Sequence, residues 1–199
     1  KQNDSGNPES STKLDAMLKN TFSINAPFTA FKYLAINPSI KLNSDFVNRY
    51  RVAEYDQTDS VSFRYEEAIK NRTTGNVGLS LSTKIYGILP IRFNKIQSVR
   101  HVMTPSMRFN FSPDYLSNDS YFQSFNDEYY DYFSSSIIGS TPTTSTKKLS
   151  LSLSNVFQAK MKDGEKEDKV NLFSWGISSG YNFNADQFKV SNISSSIRS

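Results

Sequence analysis

Cysteine is absent from this chain, and histidine and tryptophan occur once each. Without cysteine there is no disulfide framework, no thiolate metal site and no thiol nucleophile. That absence also suits an oxidising compartment, where stray thiols are a hazard. A single histidine excludes a histidine-based metal cluster. Long apolar runs are missing too. Nothing approaches the roughly 18 consecutive apolar residues of a membrane-spanning helix, which leaves spanning strands open. Charge of one sign is not in excess: 23 Lys and Arg against 19 Asp and Glu leave +4, dispersed along the chain, so no nucleic-acid footprint exists. No basic-then-apolar signal segment opens the chain, and the start at Lys-Gln-Asn-Asp reads as a mature or excised piece.

Aromatic residues are what the chain has instead. They make up 14% of 199 residues, with 15 Phe and 11 Tyr, while hydrophobic residues reach only 37%. That balance favours strands over helices. Alternation of period two runs through most of the length. Phe22, Ile24, Ala26 and Phe28 share one parity, as do Leu34, Ile36, Pro38, Ile40 and Leu42, and then Val61, Phe63 and Tyr65. Val77, Leu79, Leu81 and Ile85 oppose Gly78, Ser80, Ser82 and Lys84. In "SVRHVMTPSMRFNFSPDY", His101, Met103, Pro105, Met107, Phe109 and Phe111 oppose Thr104, Ser106, Arg108 and Asn110. Leu149, Leu151, Leu153 and Phe157 oppose Ser150, Ser152, Ser154 and Gln158, and Phe173, Trp175, Ile177, Tyr181 and Phe183 oppose Ser174, Gly176, Ser178 and Asn182.

Several of these runs are about 12 to 16 residues long, well beyond the usual 5 or 6 of a globular strand. A tilted strand crosses a membrane in about 9–11 residues. The polar parities carry Ser, Gly, Asn and Thr rather than the charges that protect soluble sheets. Connections alternate: short ones at residues 90–97 and at the Asp163-Gly164 turn, and a long one between Ser112 and Lys147. This rhythm is that of outer-membrane barrels, with long loops outside. On that rule the Lys84 strand runs inward, the His101 strand outward, the Leu151 strand inward and the Trp175 strand outward. The expected fold is all-β: an antiparallel outer-membrane β-barrel segment of about 8–10 long strands in an incomplete barrel. Residues 1–20 read as a polar lead-in or loop, with one or two helical turns available to "KLDAMLKN", and residues 21–199 as part of a transmembrane β-barrel domain.

Sites for chemistry are few. His101 lacks a Gly-x-Ser-x-Gly elbow or other sign of a paired nucleophile, and a strand-start or membrane-boundary role explains it better. Asp119, Asp127, Glu128 and Asp131 crowd the aromatic stretch 115–133, yet the calcium-loop pattern is missing, and a loop packing its own aromatics is the plainer account. Tyr33, Tyr86, Tyr115, Trp175 and Tyr181 are candidates for interfacial girdles or ordinary strand residues. Pro38 and Pro105 interrupt good strands and predict bulges or a seam of weak pairing. Lys41, Lys84, Arg108 and Lys160 fall on polar parities, as candidate lumen-facing cations. No catalytic, cofactor or metal residue is assigned. Another outer-membrane porin or receptor barrel, or a soluble secreted β-sandwich binding module, also fits such alternation.

"STKIYGILP" followed by "VRHVMTPSMRFNFSPDY" resembles the LptD family of lipopolysaccharide-assembly proteins, in its divergent branch. Tyr86, Gly87, Arg100, His101, Pro105, Pro113 and Asp114 carry the resemblance, with Asn155 and the Tyr181-Asn182-Phe183 run following in register. It is good from about Val77 to Asp186 and vaguer from Thr21 to Tyr65. The resemblance implies transport without catalysis. Lipopolysaccharide would arrive from periplasmic bridge proteins and leave through a lateral opening in a barrel plugged by an LptE-like lipoprotein, among outer-membrane lipids. The family's periplasmic jelly roll is not recognisable in this chain, and its inter-domain disulfides have no parallel here.

Overall fold

The computed structural model describes residues 14–55, 60–91, 96–163 and 166–199. All regular structure among them is strand: β1 Met17–Asn25, β2 Phe28–Ala30, β3 Leu34–Val47, β4 Tyr50–Tyr55, β5 Val61–Glu66, β6 Lys70–Ser82, β7 Ile85–Leu89, β8 Ile96–Ser112, β9 Phe122–Phe125, β10 Glu128–Asp131, β11 Thr146–Asp163, β12 Lys166–Asn182 and β13 Ser194–Arg198. Nine of them form one sheet in the order β1-β3-β6-β8-β11-β12-β13, with β2 added beside β3 and β7 beside β8. The sheet is antiparallel and does not close into a barrel, as expected of an incomplete barrel.

The helical turns expected in "KLDAMLKN" do not form: β1 already begins at Met17. So short a helix is marginal in isolation, while β3 offers the segment a ladder to join. Lys13, like the rest of the polar start, lies outside the described residues, as do Gly164 of the predicted turn and most of the connection before β8. The backbone nonetheless pairs Asp163 with Lys166, so the β11–β12 link is as short as expected. β6 starts at Lys70, earlier than alternation suggests, and β4 was not marked by it at all.

The chain divides into two compact units. One comprises residues 1–20, 44–73 and 116–141. It holds the β4–β5 and β9–β10 hairpins and a small core: Phe133 is fully buried with the Tyr121 ring edge-on to it at 6.1 Å, and Phe122, Val47 and Ala53 are buried in the same unit. Asn126 and Asp127 adopt left-handed backbone at the β9–β10 turn, the conformation of a two-residue hairpin loop. The other unit, residues 21–43, 74–115 and 142–199, carries most of the sheet. Of its described side chains only Asn155 and Ala159 are buried. A β-sandwich would bury one face of this sheet against a second sheet, and the described residues of this unit contain no such layer.

Both interior prolines occupy the same kind of position. Pro105 faces the gap between β6 and β7, and Pro38 faces the gap between β1 and β2. Thr83 donates its N–H to the Pro105 carbonyl at 3.3 Å, and Ala26 donates to the Pro38 carbonyl at 3.1 Å. The return bond needs a proline N–H that does not exist, so each pair keeps one bond of two and the neighbouring strand breaks. The register does not shift. Ser82 pairs with Ser106 above the gap and Ile85 with Met103 below it, while Pro105 stays opposite Leu153 on the β11 side. Of the two expectations, a bulge or a weakened pairing, the structure shows the weakened pairing. Register shifts do occur elsewhere, at Phe157/Gln158 and Lys160/Met161.

Candidate functional site: the two faces of the wall

Cross-strand partners share a face, so register sorts the side chains. On one face, rows run Leu79–Phe109–Leu149–Tyr181, Leu81–Met107–Leu151 and Met103–Asn155–Trp175. Large apolar groups here are open: Leu151 and Ile85 are each 48% exposed, and Leu79 and Trp175 each 38%. Aromatic rows bound this band. At one end His101, Phe157 and Phe173 stack in sequence across β8, β11 and β12, with centroids 4.3 and 4.4 Å apart. At the other, Phe183 packs edge-on to Phe109 and Tyr181 at 6.2 and 4.8 Å. From His101 to Phe111 the strand covers roughly 33 Å. At a tilt of about 40° it stands about 25 Å tall, the height of a barrel's lipid-facing band.

The opposite face is a field of small hydroxyls. One row reads Ser82–Ser106–Ser152–Ser178–Ser194 across five strands, with Ser106 and Ser152 hydroxyls bonded at 2.7 Å. Arg108 projects from this face and donates from Nε to Ser80 Oγ at 3.2 Å. Lys84 falls beside Thr104 in the same register, and Lys160 pairs with Ser98 and Lys169. These three cations are spread along the face rather than gathered. Arg108 and the Ser98 level of Lys160 are roughly 33 Å apart along β8.

The motif residues do come together. Gly87 pairs with His101. Tyr86 turns to the polar face, where the Arg100 guanidinium lies 4.9 Å from its ring centroid, so Tyr86 is not part of a girdle on the apolar face. On that apolar face His101 Nε2 and Asn155 Oδ1 are 3.0 Å apart, and Asn155 Nδ2 donates to the Trp175 carbonyl at 3.3 Å. Trp175 Nε1 donates to Ser195 Oγ at 2.9 Å. Buried polar groups need partners, and this chain of contacts supplies them on an otherwise apolar surface. Among the described residues ring stacking on Phe157 and the Asn155 amide occupy His101, and no nucleophile is paired with it. Pro113 and Asp114 follow the last residue of β8, and Tyr115 then turns back so that its hydroxyl accepts from Gly75 N–H at 2.7 Å. Gly75 is required there: a Cβ would sit 2.7 Å from a Leu42 methyl and 2.9 Å from the Lys41 carbonyl.

In the smaller unit the acidic residues of 115–133 are dispersed. The Asp131 carboxylate accepts from the N–H groups of Phe133 and Thr141 and from Thr141 Oγ1, and Glu128 takes the Tyr130 hydroxyl. That bond pushes the Tyr130 phenol well above its ordinary value. Among the described residues no three acidic or histidine side chains converge on a common point. The central interaction of this unit had no visible signal in the sequence. Arg72, 4% exposed, donates to Asp45, Thr141 and the carbonyls of Ile138 and Gly139, and lies over the Phe133 ring. Both Asp45 and Arg72 sit in stretches that read only as polar.

An open antiparallel wall, apolar and exposed on one side, hydroxyl-lined on the other and bounded by aromatic rows, defines the class of β-barrel wall proteins. A family model described as LptD protein matches residues 1–199. The chain belongs to the LptD family, an outer-membrane family of lipopolysaccharide transport and assembly. No curated protein and no solved structure matches it.

Proposed function

We propose that this chain forms part of the barrel wall of an outer-membrane lipopolysaccharide translocon, with residues 21–199 in the barrel domain and 1–20 leading into it. The apolar face meets lipid and the serine-lined face meets the lumen, where Lys84, Arg108 and Lys160 attract anionic head groups. The observation that carries the reading is the exposed apolar band between aromatic rows in a member of this family. Water would not tolerate such a band across a whole sheet. The His101 strand runs outward and the Lys84 strand inward, as the short links at one end of the sheet and the long ones at the other support. The role is transport and not catalysis. Lipopolysaccharide arrives from periplasmic bridge proteins, and an LptE-like lipoprotein fills the barrel. Tyr86, Gly87, Arg100, His101, Pro105, Pro113 and Asp114 hold the wall's geometry.

Depletion of the full-length protein tests this. Surface lipopolysaccharide is expected to fall while uptake of small solutes continues. Normal surface lipopolysaccharide in depleted cells would overturn the reading, and loss of solute uptake alone would point to a porin.

A further inference from the structure

The β4–β5 hairpin of the smaller unit has two edges, and only one is covered. On the β4 side Arg51 donates its N–H to the Tyr132 carbonyl at 3.0 Å. The Gln123 side-chain amide stands in for a strand beside Ala53, accepting from its N–H and donating to its carbonyl, both at 3.0 Å. The β5 side has no such cover. Among the described residues β5 pairs with β4 alone, and Ser62, Phe63, Arg64 and Tyr65 are all exposed. The open edge is six residues long, roughly 20 Å of extended backbone.

Proteins guard an open edge with charge, which keeps an incoming strand away. Here the charge at the middle of the edge, Arg64, is neutralised by Glu54 and Glu66 on its own face of the hairpin. The opposite face is aromatic and cationic. Across the ladder Arg51 pairs with Tyr65 and Ala53 with Phe63. The Arg51 guanidinium lies 4.0 Å from the Phe63 ring centroid, and that of Arg49 lies 3.8 Å from the Tyr65 centroid. Arg49 has an ion pair with Asp15 at 3.3 Å, whereas Arg51 has no carboxylate partner among the described residues. A strand laid along β5 would meet ladder donors and acceptors with its backbone. Every second side chain would meet a ring, with a guanidinium suited to a carboxylate beside it.

We propose that β5 accepts an extended acidic peptide segment of another protein, which adds to the hairpin as a third strand. The site belongs to the smaller unit and does not depend on the transport reading. It is tested on the full-length protein in detergent by titration with acetyl-Glu-Val-Glu-Val-Glu-Val-amide. The comparison ligands are its Lys-for-Glu counterpart, two versions N-methylated at either set of alternate residues, and polygalacturonate. The acidic peptide is expected to bind most tightly and to slow exchange of the β5 amides that point away from β4. Arg51→Gln is expected to lose about tenfold in affinity, Arg51→Lys to retain most of it, and Lys148→Gln, on the sheet, to change nothing. One of the two N-methylated versions is expected not to bind, because it lacks the donors of the ladder. Failure of the acidic peptide to bind, or equal binding of the basic one, would overturn the site. Full binding by both N-methylated versions would rule out strand addition. Polygalacturonate binding as tightly as the peptide would overturn the proposal, since charge alone would then be recognised. Outward β5 amides already protected before peptide is added would also overturn it, since a segment of the same protein would then hold the edge.

Discussion

The smaller unit is built as water-soluble domains are, with Phe133, Phe122 and Val47 inside and charged groups such as Arg64, Glu54 and Glu66 paired on its surface. The sheet unit is built the other way round, with Leu79, Leu151, Ile85 and Trp175 facing outward and serines on the opposite side. Local composition does not separate them, since aromatics are abundant in both. What separates them is where apolar surface goes. The smaller unit buries it within itself, so its stability depends on internal packing. The sheet leaves it exposed, and on the proposed reading it is lipid that takes up this face, so the sheet's stability would depend on what surrounds it.

The contrast can be broken from either side. The largest effect is expected in the smaller unit. Arg72→Met leaves the Asp45 carboxylate buried without its partner and should cost about 3–5 kcal/mol, read as lost amide protection in β4, β5 and residues 131–141. Phe133→Ala should cost a similar or slightly smaller amount, about 3–4 kcal/mol, through the cavity it leaves. Next comes the sheet's outer face. Leu151→Arg should destabilise the chain folded in lipid vesicles by about 2–4 kcal/mol, whereas Ser152→Arg, one residue along on the polar face, should change little. Equal costs for the two would erase the distinction between faces. His101→Ala removes a stacked ring and the partner of a buried amide, and about 1–3 kcal/mol should be lost in the same assay. Pro105→Ala sharpens the picture in the opposite direction. It restores one ladder donor toward Thr83, and protection of nearby amides should rise by the equivalent of about 1 kcal/mol. The smallest effect is that of pH. The Tyr50 hydroxyl bonded to Glu66, with Arg64 beside it, holds that carboxyl below its ordinary 4.5. A carboxyl lowered on folding contributes stability that is present above its unfolded value and lost as pH falls through the folded one. Amides of the β4–β5 hairpin should therefore exchange faster below about pH 4.5, and Glu66→Gln should flatten that dependence.

Alternation made the long strands readable, because one face is almost purely apolar and the other almost purely small and polar. It was silent where pattern and environment part. Tyr50–Tyr55 and the first turns of β6 belong to the unit with an internal core, where charges such as Arg51 and Glu54 alternate with Val52 and Ala53 and blur the parity. The motif residues could be named in one dimension, but their meaning is a matter of register. Nothing local says that His101 lies opposite Phe157 or that Asn155 lies one step along. The prolines mark disturbances of either kind, a bulge or a weakened pairing, and the sequence leaves the choice open. A bulge and a missing donor look alike in sequence, and only the preserved pairing on both sides of Pro105 tells them apart.

The strand order of the sheet has a consequence for how the wall is made. Along the sheet each long strand neighbours the long strand that comes next in the chain. None waits for a partner from a distant part of the sequence, and every pairing closes one connection at a time. Loop-closure entropy is therefore met in small instalments, the condition under which antiparallel sheets form fastest. Assembly can advance as a zipper, hairpin upon hairpin, with each finished strand serving as the template for its successor.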